Sequence, residues 1–408
     1  MQITIHRGAN QIGGCVTEIS TEKARVFIDL GADLTKDKEK SVSKINIDGL
    51  TTGNAEKSVL LLTHYHGDHI GRITQAKPSI PIYMGKTAKK INMTLKKRLL
   101  KSERISEEER KHYEKEIELF TKTKNLEPGK EFILGDIKIT PIMIDHSAFD
   151  AYSFLLEANG TRIFYTGDFR LHGPRGKIKV FKCYAKNIDY LICEGTNILK
   201  TKKAQTEYEL QQKAMELFRN PKHKYVFILC ASTNIDRIFL FYNAYNKTFE
   251  ERRPFICDKY QKKILEIVKE DHSKMSTFYN FKEIYEYSDN KNLNKWMLDK
   301  GFCCLIRNKF SKPKLEAYPD KNLIIYSMWN GYLDENNEAK NDDLIDFLKP
   351  YAYKHLHTSG HADIESLKKL VASIKPKYII PIHTENPKEF QKHFKNTKIL
   401  EDGVPFIT

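Results

Sequence analysis

The sequence predicts an α/β protein with a strand-rich first part followed by a region of alternating helices and strands. Two observations carry this expectation. Short apolar strand segments crowd the first part of the chain, and helix and strand patterns alternate from about residue 200 to the C-terminus. At 408 residues the chain exceeds one small domain. Its 40% hydrophobic and 30% charged residues suit a folded protein rather than a disordered or fibrous one.

Residues 16–19 and 26–30 read as strands around a polar turn, and 59–62 as a fully apolar, buried strand. Residues 86–120 are charge-dense and free of proline and glycine, which predicts one or two exposed helices laid over the core. Strands resume at 137–144. A hairpin of 152–157 and 162–165 follows, with Asn159-Gly160 as its turn, and then a buried strand at 188–193. Thr206 with Glu209 has the spacing of a capping box and opens a helix to residue 218. Strand 225–230, helix 234–245, strand 254–257, helix 259–269 and strands 302–306 and 323–327 come next. Apolar strands separated by helices predict a parallel sheet covered on both faces. Strand 354–358, helix 363–374, strand 378–382 and a short helix from Pro387 complete the pattern. Cys303 and Cys304 fall in an apolar strand pattern and read as core.

The net charge of +15 favours polyanionic partners, although a merely solvated basic surface gives the same number. The seven cysteines include no C-x-x-C pair, which argues for reduced thiols rather than a disulfide framework or a thiolate metal site. The N-terminal residues lack the apolar stretch of a signal peptide and no run reaches membrane-spanning length, so a cytoplasmic protein without a membrane partner is expected.

The segment Leu60-Leu61-Leu62-Thr63-His64-Tyr65-His66-Gly67-Asp68-His69 places His64, His66, Asp68 and His69 directly after a buried strand. Gly67 is expected to let the backbone turn tightly enough for the side chains to converge. Imidazole and carboxylate without thiolate suit zinc, or manganese or another divalent ion, in a catalytic rather than a structural role. His146, Asp168 and His383 each follow a strand segment as well, and together they supply ligands enough for two metals.

The run THYHGDH, followed by His146, Asp168 and His383, resembles the metallo-β-lactamase superfamily, whose fold is an αββα sandwich of two sheets flanked by helices. The resemblance implies two zinc ions per chain. One would be held by His64, His66 and His146, the other by Asp68, His69 and His383, with Asp168 between them and Asp68 counted also among the catalytic groups. Two ions so held can stabilise both the attacking and the leaving oxygen of an in-line displacement.

Cys193-Glu194-Gly195-Thr196, the run from His357 through Ser359-Gly360-His361 to Asp363, and Pro381-Ile382-His383 stand at the boundaries of the long helix–strand stretch between Asp168 and His383. They resemble the acidic motif A and the histidine motifs B and C of the β-CASP nucleases, within them the ribonuclease J-like and RNA 3′-end-processing branch. The resemblance covers nearly the whole chain, is dense at its two ends, and is only topological between about 240 and 350. It implies a β-CASP domain inserted at 199–350, with a mainly parallel sheet flanked by helices, which splits the metallo-β-lactamase core into 1–198 and 351–408. It also implies His361 as general acid, oriented by Glu194. The residue type agrees, since a histidine donates a proton near neutral pH and a paired carboxylate raises its protonated fraction. His361 is expected at a helix N-terminus, where backbone N–H groups favour phosphate. The segments Ala231–Arg237 and Ser327–Tyr332 resemble loops bordering the RNA channel of that branch, so Asn234, Arg237 and Ser359 are expected substrate contacts.

The implied activity is zinc-dependent hydrolysis of phosphodiester bonds in single-stranded RNA, in endonucleolytic or 5′-exonucleolytic mode. A single-stranded DNA nuclease is the first alternative, although the DNA-repair branch carries valine where this chain has His383. A small-molecule ester, lactone or thioester hydrolase is the second, and a catalytically silent RNA-binding subunit the third. Ribonuclease J proteins usually continue into a further C-terminal domain, whereas this sequence ends at Thr408. Oligomerisation and processive behaviour that depend on such a domain are therefore in doubt, and the oligomeric state stays open.

Overall fold

A computed structural model describes residues 1–35, 38–272, 279–307, 312–337 and 339–408. It divides into two compact units, Met1–Lys203 with Gly360–Thr408, and Ala204–Ser359.

The first unit contains two sheets. One has seven strands in the order Pro405–Ile407, Gln2–Arg7, Val16–Ser20, Arg25–Ile28, Ser58–Leu61, Ile82–Gly85 and Lys124–Leu126. The other has six, in the order Tyr378–Ile382, Tyr190–Glu194, Thr161–Tyr165, Ala151–Ala158, Ile137–Ile144 and Phe132–Leu134. Period-two alternation explains why they stack. Ile3, Ile5, Val26, Ile28, Val59 and Leu61 of the first sheet pack with Ile137, Ile139, Phe154, Leu156, Ile163 and Tyr165 of the second in one core. The opposite face of the second sheet, with Ile142, Ile144, Leu155, Phe164 and Leu191, lies under helix Ile364–Ile374 through Leu367, Leu370 and Ile374. Helices Lys86–Leu99 and Glu107–Lys122 follow the first sheet's strand Ile82–Gly85 and bury Ala88, Ile91 and Phe120. The result is an αββα sandwich with two helices where residues 86–120 had predicted one or two.

Parallel pairing aligns the C-terminal ends of the strands that feed the site. Arg25–Ile28 runs parallel to Ser58–Leu61. Thr161–Tyr165, Tyr190–Glu194 and Tyr378–Ile382 are likewise mutually parallel. The predicted hairpin forms, and Asn159 (φ 51) and Gly160 (φ 76) take the left-handed backbone that a two-residue turn of this kind requires.

Among the described residues the second unit contains a six-stranded sheet in the order Ile284–Glu286, Phe255–Cys257, Phe302–Ile306, Tyr225–Leu229, Asn322–Tyr326 and Lys354–His355, with helices between its strands. Every pairing is parallel. Thr206 caps helix Glu207–Arg219 through the expected capping box, and Cys303 and Cys304 are both buried in the sheet. Both boundaries differ from expectation, and the first falls after Lys203 rather than after residue 198. Residues 351–359, expected in the split core, belong here because Lys354–His355 pairs with Ile325 and Tyr326, and the Leu356 N–H donates to the Tyr326 carbonyl. The strand is also shorter than the predicted 354–358. No helix among the described residues is long and apolar enough to cross a membrane.

Candidate metal centre

The centre lies wholly within the first unit, where the ends of five strands meet. Residues after Ser58–Leu61 supply His64, His66, Asp68 and His69. Ile137–Ile144 leads to His146, Thr161–Tyr165 to Asp168, Tyr190–Glu194 ends on Glu194, and Tyr378–Ile382 leads to His383. All seven residues expected as ligands converge. Ligand atoms of His64, His66 and His146 lie within 4.8 Å of one another, as do those of Asp68, His69, Asp168 and His383.

The ring orientations identify which nitrogens face inward. His146 Nδ1 meets the Gly360 carbonyl at 2.7 Å, and His64 Nδ1 meets Thr63 Oγ1 at 3.0 Å, so each turns Nε2 to the centre. His66 Nδ1 then stands 3.0 Å from His64 Nε2 and 3.2 Å from His146 Nε2. Three nitrogens around one tetrahedral ion at zinc–imidazole distances stand about 3.3 Å apart, so this trio suits a divalent metal. In the second group His69 gives Nδ1 to Asp29 (2.7 Å) and His383 gives Nδ1 to Thr196 Oγ1 (2.7 Å), leaving both Nε2 atoms turned toward Asp68 and Asp168.

Asp168 Oδ2 is the focus. It lies 3.0 Å from His69 Nε2, 3.8 Å from His64 Nε2 and His383 Nε2, and 4.0 Å from His146 Nε2. It is buried, yet neither it nor His69 Nε2 has an aligned hydrogen bond among the described residues. Buried polar atoms without an aligned hydrogen bond are costly in a folded protein. A divalent cation shared between the two groups is the partner their chemistry fits.

The two groups differ electrostatically. Burial holds His64 and His146 well below the usual histidine range, with neighbouring imidazoles adding to the effect, and burial likewise pushes His66 down to about 4. Neutral imidazole is the ligand form. Around His69 burial opposes the charge, but the carboxylates of Asp168, Asp29 and Asp68 raise it well above the usual range. Asp168 is held well below an ordinary carboxylate by His383, His69 and His361, against the cost of burial.

Glu194 and His361 form a second pair beside the ligands. Glu194 is fully buried. Its Oε1 accepts from the backbone N–H groups of Phe169 and Ala362 at 3.1 Å each, and its Oε2 stands 3.2 Å from His361 Nδ1. His361 Nδ1 is also 3.7 Å from Asp168 Oδ2. Burial works against the imidazolium, yet the Glu194 and Asp168 carboxylates raise His361 to about 9.

Several supporting residues escaped the sequence reading. Asp29, Thr63 and Thr196 fix ring orientations, and such outer partners set a ligand's tautomer and basicity. Asp29 (φ 63) and His383 (φ 52) hold left-handed backbone, a strained choice for non-glycine residues that clusters at functional sites. Gly67 does not have the expected role, because it opens a short helix with nothing near the position of a Cβ. The close approach occurs instead at Gly31, where a Cβ would collide with the Asp68 carbonyl oxygen.

Two expected positions need correction. His361 is not in the first turn of a helix, since Asp363 caps helix Ile364–Ile374 by accepting from the Ser366 N–H. Arg237, in the second unit, is wholly buried. Its Nε and Nη2 pair with both oxygens of Glu207 at 2.8 Å, Nη1 reaches Ser327 Oγ at 2.9 Å and Nη2 the Thr358 carbonyl at 3.1 Å. So placed, it braces the unit rather than offering a phosphate contact. Arg237→Ala is therefore expected to destabilise the protein by ~3–5 kcal/mol in urea unfolding, the usual result of breaking a buried ion pair. An unchanged unfolding midpoint, with an altered salt dependence of RNA binding, would restore the phosphate role. Asn234 caps helix Ile235–Thr248 through the Arg237 N–H, and Ser359 ends the second unit.

Comparison with known proteins follows the geometry. The profile of a family described as "Zn-dependent metallo-hydrolase RNA specificity domain" matches residues 352–401, and one described as "Anti-Pycsar protein Apyc1" matches residues 18–192. Ribonuclease J of Helicobacter pylori is 24% identical over 94% of this chain and 56% of its own length. Ribonuclease J of Mycoplasma genitalium is 21% identical over 93% of this chain and 67% of its own length. A probable RNase of Methanocaldococcus jannaschii is 27% identical over 48% of this chain and 45% of its own length. The chain thus spans little more than half the length of the Helicobacter relative. A crystal structure of a protein of unknown function from Enterococcus faecalis shares the fold, with a TM-score of 0.76 and 21% identity, covering 100% of this chain and 99% of that one. The fold is that of a metallo-β-lactamase sandwich with a β-CASP insertion. Over nearly its whole length the chain is similar to ribonuclease J proteins.

Proposed function

We propose that the chain is a two-zinc phosphodiesterase that cleaves single-stranded RNA with His361 as general acid. The observation that supports this most is the meeting of Asp168 Oδ2 with ligand nitrogens from both groups, next to the Glu194–His361 pair. His64, His66 and His146 would hold one ion and Asp68, His69 and His383 the other, with Asp168 facing both. Bound there, divalent ions supply Lewis acidity to the phosphoryl group and its attacking and leaving oxygens.

The chain's own groups do the rest. Asp29, Thr63, Thr196 and the Gly360 carbonyl keep the ligand rings from rotating, so the site is organised before substrate arrives. Glu194 holds the Nδ1 proton of His361, which makes Nε2 the atom that delivers a proton to the leaving oxygen. The Glu194 carboxylate also favours the charged, proton-carrying form of the ring. The family relatives and the +15 charge favour RNA as the polyanion.

The test is a matched set of single-stranded RNA, single-stranded DNA and duplex oligomers, 5′- or 3′-labelled, with metal-loaded protein. Single-stranded RNA is expected to be shortened fastest and the duplex to resist. Equal or faster cleavage of DNA would move the protein to the repair-nuclease branch. Inertness toward all three, with hydrolysis of an ester, lactone or thioester panel, would replace this reading by the small-molecule one.

A further inference from the structure

We propose that Trp329 is a stacking platform for an unpaired base of a single-stranded nucleic acid, at the C-terminal edge of the parallel sheet in the second unit. The proposal rests on the RNA-cleaving reading and adds a residue and a mode of contact to it.

The sheet's topology marks the place. Strands Tyr225–Leu229 and Asn322–Tyr326 are neighbours, but the chain leaves them in opposite directions. After the first it passes through helix Ile235–Thr248 to Phe255–Cys257 on one side, and after the second through helix Asp342–Leu348 to Lys354–His355 on the other. In open parallel sheets such a reversal opens a crevice outside the carboxyl ends of the strands, and ligands bind there. The loops bordering it are 230–234 and 327–332.

Trp329 lies in the second of these loops and is 43% exposed, with Tyr332 beside it at 39%. An exposed indole is ordinarily mobile, but this one stands on a fixed loop. Tyr326 Oη donates to the Trp329 carbonyl at 2.7 Å, and His355 Nε2 is 3.0 Å from the Met328 carbonyl. The Ser327 N–H donates to the Leu229 carbonyl at 2.8 Å, and Arg237 holds Ser327 Oγ from below. The indole meets Tyr332 edge-on at 5.5 Å and lies so close over Gly331 that a Cβ there would strike the ring. The loop spends five anchoring contacts to present an aromatic face to solvent. Rigid aromatic area is what binds a partner at low entropic cost.

The chemistry of the loop selects the occupant. Residues 327–337 contain no lysine or arginine, and Asp334 and Glu335 follow the ring. The loop therefore has a π-face to offer and no cation for a phosphate. Every base has a complementary face, so the contact tolerates any sequence.

The experiment uses the full chain in a Trp296→Phe background, because the protein has two tryptophans and Trp329 can then be read alone. A single-stranded RNA oligomer is expected to quench its fluorescence. Trp329→Ala is expected to weaken RNA affinity roughly 10- to 100-fold, the usual worth of a base–aromatic stack, while Trp329→Phe recovers most of it. The slope of affinity against salt should not change, because no phosphate contact is lost. An oligomer of abasic sites should bind both proteins alike. RNA cleavage with unchanged affinity and no quenching would overturn this proposal and leave the RNA reading standing. Failure of the parent protein to bind any oligomer would remove both. A Trp329→Ala variant that loses thermal stability in proportion to affinity would assign the indole to the fold instead.

Discussion

Asp168→Ala is expected to strip the protein of metal and abolish cleavage. Its Oδ2 is within 4.0 Å of Nε2 atoms in both ligand groups, so no other side chain of the centre can substitute for it. The neighbouring rings gain nothing from its loss. Burial and neighbouring imidazoles hold His64 and His146 well below the usual histidine range, while His69 loses the first of the carboxylates that sustain its charge. Elemental analysis should give close to two zinc ions per chain for the parent protein and a clear deficit for the variant. Asp168→Asn keeps the shape and removes the charge, and it should behave in the same way; if only the alanine variant fails, the defect is one of packing. Full metal occupancy in either variant, or undiminished RNA cleavage by the parent protein in excess chelator, would falsify the two-metal reading.

The parts of this centre that were legible in the sequence share one property: residue type and local context sufficed. His64, His66, Asp68 and His69 crowd one strand end, and His146, Asp168 and His383 each close a strand recognisable from its apolar run. Asp29, Thr63 and Thr196 were not legible, because a lone aspartate and two threonines have no ligand spacing. Asp29 and Thr196 matter only through ring nitrogens brought to them from other strand ends, and Thr63 through the ring of its neighbour His64. Arg237 was misread for the same reason. A helix start carrying asparagine and arginine is a fair phosphate site by pattern, but Glu207, its partner 30 residues upstream, is visible only once two helices pack. The αββα layers followed from period-two patterns, which dictate what each strand buries. The insertion's C-terminal boundary depended on a strand of two residues and on its partner in the sheet.

His361→Ala is expected to separate chemistry from metal binding. The side chain is 22% exposed where the ligand imidazoles His64, His69, His146 and His383 are almost fully enclosed, and its Nδ1 is committed to Glu194. Metal content should therefore stay near that of the parent protein while turnover falls by ~10²–10⁴-fold, the usual contribution of general acid catalysis. Glu194→Gln is a less conservative change than its shape suggests. The carboxylate accepts from the N–H groups of Phe169, Ala362 and Thr196 besides facing His361, and an amide nitrogen cannot accept from any of them. That variant should lower turnover and loosen the Gly360–Ala362 segment together. The double variant distinguishes these effects. If Glu194 acts through His361, removing both should cost little more than removing His361 alone, since the carboxylate then has no proton to position. Single losses that multiply in the double variant would show that Glu194 and His361 work independently, and a loss of metal in His361→Ala would make His361 a ligand.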